Sequence, residues 1–296
     1  MKTRNNVPMV NAVIAAALYA ISMPVSKLLL ADLPSTFMAA LLYLGAGLGM
    51  LVIKSITVKR YPAKSRTKFT GKDTPYLLGM ILLDVAAPIS LMVGLTMTTS
   101  ANASLLNNFE IVATSLIAML LFKEAVNRRL WTAILLITAS SILLSVEDIR
   151  SFSFSTGSLF VLLACVLWGF ENNFTKRLSG GDPTQVVIVK GFGSGLTSLL
   201  ISFGLKAYST HIPSILAALI LGFFAYGLSI LFYIYAQRDM GAAKTSAYYA
   251  ISPFIGAGLS FLILHEIPTL PFLIALVIMI IGAYLASADK KPKEGL

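Results

Sequence analysis

The stretch Leu167–Lys190, LWGFENNFTKRLSGGDPTQVVIVK, decides how this chain is read. An apolar run ends at Lys176 and Arg177, a short turn closes on Asp182 and Pro183, and a second apolar run begins. Glu171 and Lys190 lie inside those apolar runs. An ionised group at the middle of a membrane helix costs roughly 2.5 kcal/mol or more, so such residues usually face a cavity or one another. Glu171 lies five residues before Lys176, and Lys190 six after Thr184. At about 1.5 Å of rise per residue, both sit on the order of 8 to 9 Å below the same membrane face, close enough in depth to pair.

Composition supports this setting. The chain has 296 residues, 57% hydrophobic and 12% charged, against about 25% charged in an ordinary soluble domain, and so reads as an integral membrane protein. The formal charge of +10 could suggest nucleic acid, but the basic residues are scattered between apolar segments, where they set membrane orientation instead. The single Cys165 excludes an internal disulfide, and no Cys and His pattern suggests a metal or redox site. No GxxxxGK[ST] run points to nucleotide hydrolysis. The expectation is no cofactor, no metal, no nucleic-acid partner and no enzymatic role.

Ten apolar stretches of roughly spanning length can be read: 9–30, 36–56, 74–93, 99–122, 130–146, 157–175, 184–205, 213–236, 241–263 and 270–287. The first follows MKTRNN but lacks a small-residue cleavage site, and is read as retained. With the N-terminus in the cytoplasm, the inner side collects every Lys and Arg except Lys27, Arg150, Lys206 and the intramembrane Lys190. Both termini are then cytoplasmic, and the localisation is the cytoplasmic membrane. His211 and His265 fall in outer loops.

A repeat search is the most productive step. Shifting the first span by 149 places Tyr19 on Trp168, Ser22 on Glu171, Lys27 on Lys176, Pro34 on Pro183, Ser35 on Thr184 and Tyr43 on Phe192. A second block agrees at a shift of 142, placing Ala101 on Ala243, Ser104 on Ser246, Glu124 on Glu266, and Ser140 with Ser141 on Gly282 with Ala283. The seven-residue difference lies before the third span, where the first copy has its long basic loop. Each copy holds five spans, an odd number, so the second enters from the opposite side. The predicted architecture is all-α integral membrane, with ten transmembrane helices as two inverted five-helix repeats, 1–150 and 151–296, around a central cavity. In many transporters the solute site lies near mid-membrane between such halves.

At this point the chain resembles the drug/metabolite transporter superfamily, specifically its bacterial ten-helix EamA-type members. The resemblance covers residues 9 to 287. It is carried by LYAISMPVSKLLLADLPS with LWGFENNFTKRLSGGDPT, and by TTSANASLLNNFEIVATSLIAMLLFKE with GAAKTSAYYAISPFIGAGLSFLILHE. It implies movement of small organic molecules without ATP hydrolysis, with exporters of amino acids and other metabolites among the members. One departure is visible: Pro253 in the second copy stands where the first has Ile111, so the two fourth helices need not bend alike.

Several polar groups are candidates for the chemistry. Glu171 and Lys190 are either an ion pair joining two helices or the groups that receive a solute's carboxylate or amine. Asn107, Glu110 and Thr114 recur at intervals of three and four, on one helix face with Ala103. Asp84 lies at similar depth, and Asp84 with Glu110 could hold one proton between them for coupling; otherwise each is satisfied separately by Asn or Ser neighbours. Trp168 and Asn172 adjoin Glu171. Trp168, Tyr248 and Tyr19 are the aromatics chosen to line a cavity, among Tyr43, Tyr226, Tyr233 and Tyr249, although Tyr and Trp equally serve as interface anchors. The glycines at 45, 47 and 49 and at 191, 193 and 195 are read as close helix packing rather than a dimer face. Pro24, Pro88 and Pro253 are candidate kinks. Glu124 and Glu266 are read as helix-end or loop contacts. The partners expected are a small-molecule solute and the bilayer; an oligomer is left open. The function expected is secondary export of a small polar or zwitterionic metabolite. Broad-specificity cation efflux is the first alternative, and a non-transporting sensor or intramembrane enzyme the second.

Overall fold

In the computed structural model, residues 7–60, 71–123, 126–148, 153–178, 182–240, 245 and 248–287 are described. The helices are α1 (Val7–Ala20), α2 (Ser22–Leu29), α3 (Ser35–Arg60), α4 (Thr74–Met97), α5 (Ser100–Leu106), α6 (Phe109–Phe122) and α7 (Arg128–Ser145). After a small antiparallel pairing of β1 (Val146–Asp148) with β2 (Ser153–Phe154) come α8 (Thr156–Leu178), α9 (Pro183–Gly204), α10 (Ile212–Gly222), a π-helical turn at Phe223–Leu228, and α11 (Ser229–Met240). Ser252–Leu264 (α12) and Leu270–Ser287 (α13) complete the order.

Among the described residues, eight continuous or nearly continuous helical segments are long and apolar enough to cross a bilayer, and Ser252–Leu264 and Leu270–Ala286 are shorter apolar helices. The bundle is apolar on its outside, and its largely apolar core also buries many serines. Leu120, Leu200 and Leu262 are 70%, 71% and 74% exposed, while Ser140, Ser194, Ser202 and Ser260 are fully buried. That inversion suits hydrocarbon surroundings, where a hydroxyl needs a partner inside the bundle. Ser140 Oγ donates to the Ala275 carbonyl at 2.7 Å, Ser229 Oγ to the Ala15 carbonyl at 2.8 Å, and Ser260 Oγ to Ser100 Oγ at 2.8 Å. The chain is a multi-pass membrane protein.

The helices pack in facing pairs: α4 along α8, α3 along α9, α7 along α13, α1 along α11, and α5 against α12. Gly79 lies against Phe174 and Gly94 against Gly157, so α4 and α8 run antiparallel. Gly47 meets Gly191 while Gly195 meets Leu44, so α3 and α9 do as well. At Gly191 a Cβ would stand 2.5 Å from Gly47 Cα. The paired small residues are therefore spent on backbone approach within this chain.

Four of the spans are irregular. The first breaks at Ile21, the N-cap of α2, where Pro24 has no N–H to offer the Ala20 carbonyl. The fourth breaks at Asn107 and Asn108, so Asn107 is not on a continuous helix with Glu110 and Thr114 as the spacing predicted; neither residue is proline. The ninth turns at Ala250 and Ile251 before α12, and Pro253 likewise leaves the Tyr249 carbonyl without its helical donor. The eighth widens into the π turn. Both fourth-position helices are thus interrupted despite the Ile111 to Pro253 difference. Pro88 sits inside an uninterrupted α4.

Candidate functional site

The polar layer assembles around Lys190 on α9. Its ammonium lies 2.9 Å from Glu171 Oε1 on α8 and 3.2 Å from Asp84 Oδ2 on α4. Tyr43 on α3 donates from its hydroxyl to Asp84 Oδ1 at 2.8 Å, and Thr175 donates to Glu171 Oε1 one turn below it. Asp84 is 0%, Glu171 2% and Lys190 8% exposed. Each charge is costly in hydrocarbon by itself, and the mutual attraction of a buried pair repays that cost only with good geometry and further hydrogen bonds. Two carboxylates and two hydroxyl donors around one ammonium meet that condition.

A second carboxylate network adjoins the first. Asn172 Nδ2 donates to Glu110 Oε1 at 2.6 Å and to Thr114 Oγ1 at 3.3 Å, linking α8 to α6. Asn173 Nδ2 donates to the Gly169 carbonyl at 2.8 Å and the Thr114 carbonyl at 3.2 Å. Asp84 is thus held by Lys190 and Tyr43, and Glu110 by Asn172.

The aromatics form a row. Tyr43 and Tyr226 have ring centroids 5.5 Å apart, Tyr226 and Tyr19 5.7 Å, Tyr19 and Tyr249 6.0 Å, and Tyr249 and Tyr233 5.0 Å. Asn107 Nδ2 reaches the Tyr19 hydroxyl at 3.4 Å. Trp168 is buried in the same core. Tyr248 is not brought to the row: it is 39% exposed, and its neighbour Tyr249 takes the inward position. Tyr43 and Tyr226, which the site prediction left among the general aromatics, connect the row to Asp84. Their signal was an aromatic hydroxyl at the depth of a buried carboxylate.

Beside Tyr19, the middle member of the row, lies a cavity of about 10 Å³, lined by Tyr19, Ala20, Met23, Ser104, Asn107, Ser252, Pro253 and Gly256. On one membrane side, Glu266 accepts from the Ser100 and Ala101 amides at 2.7 and 2.8 Å, capping α5. Lys27 donates to the Leu95 and Thr98 carbonyls at 2.5 and 2.8 Å, closing the end of α4. Glu124, like the terminal basic residues on which the orientation rests, lies outside the described residues.

The profile of the EamA-like transporter family matches residues 7–146 and again 155–288. The chain belongs to the EamA-like transporter family. An uncharacterized transporter of Methanothermobacter thermautotrophicus is 25% identical over 293 residues, covering 93% of this chain and 84% of that one. The uncharacterized transporter YyaM of Bacillus subtilis is 24% identical over 204 residues, 66% of this chain and 67% of its own length. A solved crystal structure superposes with a TM-score of 0.69 over 95% of each chain at 16% identity, a likeness of fold. Family membership and these transporter relatives point to transport rather than catalysis. In this EamA-like protein the charged groups are intramembrane and paired, as solute-handling groups in transporters commonly are.

Proposed function

We propose that this protein is a secondary active transporter of a small polar or zwitterionic metabolite, such as an amino acid, working by alternating access. Lys190 held between Asp84 and Glu171 inside the membrane is the observation that carries the reading. A solute carboxylate would displace one of the two acids from Lys190, and its amine would take up the acid released. Glu110, held by Asn172, is the proton-coupling residue; Trp168, Tyr19 and Asn107 shape the path.

The two repeats, 1–150 and 151–296, are inverted relative to each other and rock about the site, in ten membrane passages. The twofold family match and the antiparallel pairing of α3 with α9 and α4 with α8 support that arrangement. Both termini lie in the cytoplasm and the direction is outward, the first from the distribution of lysine and arginine and the second from family resemblance.

A second reading has a specific observation in its favour. Glu110, Glu171 and Asp84 outnumber the one ammonium in the layer, which suits amine-bearing solutes and hence lipophilic cation efflux. Flux in purified proteoliposomes, with labelled amino acids, nucleosides, sugars and a lipophilic cation, with and without a pH gradient, tests both. Amino acid flux driven by the gradient supports the first reading; cation flux that rises in Lys190→Gln supports the second. Absence of flux for every solute class would contradict transport of these solutes altogether.

A further inference from the structure

The charged cluster divides into two pieces. Tyr43 and Asp84 lie in residues 7–146, whereas Glu171, Thr175 and Lys190 lie in residues 155–288, the two stretches that match the family separately. Inside the first piece the Tyr43 hydroxyl donates to Asp84 Oδ1. Inside the second, Lys190 and Thr175 both donate to Glu171 Oε1. The pieces meet where the Lys190 ammonium comes within 3.2 Å of Asp84 Oδ2, an oxygen that accepts no hydrogen bond of good geometry.

Backbone packing sets the level of Tyr43. On α9, a Cβ at Gly191 would stand 2.5 Å from Gly47 Cα and 2.8 Å from the Tyr43 carbonyl oxygen, both on α3. Gly191 follows Lys190 in the chain, so this close approach holds Tyr43 at the depth of the ammonium. The Tyr43 ring is buried, with its centroid 5.5 Å from that of Tyr226.

We infer that Tyr43 is a positioning residue for Asp84, and that Asp84 rather than Glu171 is the acid that parts from Lys190 when the solute enters. The assignment rests on the transport reading above. Motion of one half against the other strains the link that crosses between them and spares the link inside one half. A buried carboxylate left without partners is costly. Tyr43 keeps a donor on Asp84 throughout, so the released acid stays oriented, with Oδ2 open to a new cation. Lys190 has three donors; Glu171 retains one, and the side turned toward Asp84 receives the solute's carboxylate. The solute that fits carries an amine and a carboxylate a few bonds apart, as an α-amino acid does. A carboxylate alone would leave Asp84 without a counter-charge, and an amine alone would compete with Lys190 for it.

Thermal unfolding of the purified full chain is titrated with each of the common amino acids, and with the methyl ester and the hydroxy acid of any that raises Tm. The amino acid raises Tm saturably; the ester and the hydroxy acid, each lacking one charge, do not. Tyr43→Phe keeps the ring and removes the hydroxyl. It raises the half-maximal concentration by about tenfold or more, the scale of a hydrogen bond to a charged group. Asp84→Asn lets the hydroxy acid act as well as the amino acid, while Glu171→Gln keeps the preference for the amine. A Tyr43→Phe protein with a lower ligand-free Tm but the wild-type half-maximal concentration overturns the positioning role, leaving packing alone. Loss of the amine preference in Glu171→Gln and not in Asp84→Asn overturns the choice of acid. Should Asp84→Asn fail to fold, the Tyr43→Phe titration decides. Absence of any amino acid response also overturns the inference. Proteoliposome flux then separates the two proposals: nucleoside or sugar flux leaves the transporter standing, whereas a saturable amino acid response without flux leaves the site and removes the transporter.

Discussion

Two polar regions share this membrane interior, and they are built in opposite ways. Around Lys190 the groups are charged and partnered: two carboxylates, an ammonium and two hydroxyl donors meet within hydrogen-bonding distance. Around Gly256 the groups are neutral, and the Ser104 and Ser252 hydroxyls have no partner. Shifts of 149 and 142 place Glu171 opposite Ser22, Glu110 opposite Ser252, and Asp84 opposite Tyr226. In each of these three matched pairs one residue is a carboxylate and the other carries a hydroxyl, with carboxylates drawn from both halves.

The largest effect should come from breaking the charged region on one side. Lys190→Ala leaves Asp84 and Glu171 buried without a counter-charge, a loss of about 3 to 5 kcal/mol. Chemical denaturation in detergent, or membrane yield, measures it. Asn172→Ala comes next: it removes the 2.6 Å donor to Glu110, and a hydrogen bond to a charged group contributes about 1.5 to 3 kcal/mol. The midpoint of thermal unfolding should fall accordingly, with the loss smaller if Glu110 is already protonated at the pH used. Glu266→Gln, which weakens the charged cap on α5, should cost about 1 kcal/mol, read from the same transition. Ser252→Ala should be the mildest. Its hydroxyl has no hydrogen bond to lose, so the change in stability should stay within about 1 kcal/mol. A loss there as large as that of Asn172→Ala would erase the contrast between the regions.

The helices long and apolar enough to cross a bilayer were legible in the sequence for a physical reason. A bilayer requires about 20 apolar residues per crossing, and apolar runs are visible without knowing how they pack. Glu171 and Lys190 were legible as a pair because a short turn fixes both to one membrane face. Rotation about a helix axis was not legible. Tyr248 and Tyr249 differ by one position, about 100° of turn, and that turn puts Tyr249 in the aromatic row and Tyr248 outside it. Asp84 was matched to Glu110 by depth, but packing of α4 along α8 and α9 gives it to Lys190. The break at Asn107 and Asn108 has no proline to announce it, whereas Pro24 and Pro253 marked theirs. Ser104 and Ser252 look like ordinary packing residues in sequence; only the meeting of three interrupted helices sets them apart.

The charged cluster is the centre of this account, and neutralising it as a set tests it most directly. In a variant carrying Asp84→Asn, Glu171→Gln and Lys190→Met, no uncompensated charge remains, so folding and membrane yield should recover relative to Lys190→Ala. Proteoliposome flux of the solute that the wild-type protein carries should nevertheless fall to background. Flux at the wild-type rate from that well-folded, uncharged variant would show that the cluster only fastens helices together, and would contradict its assignment to solute recognition.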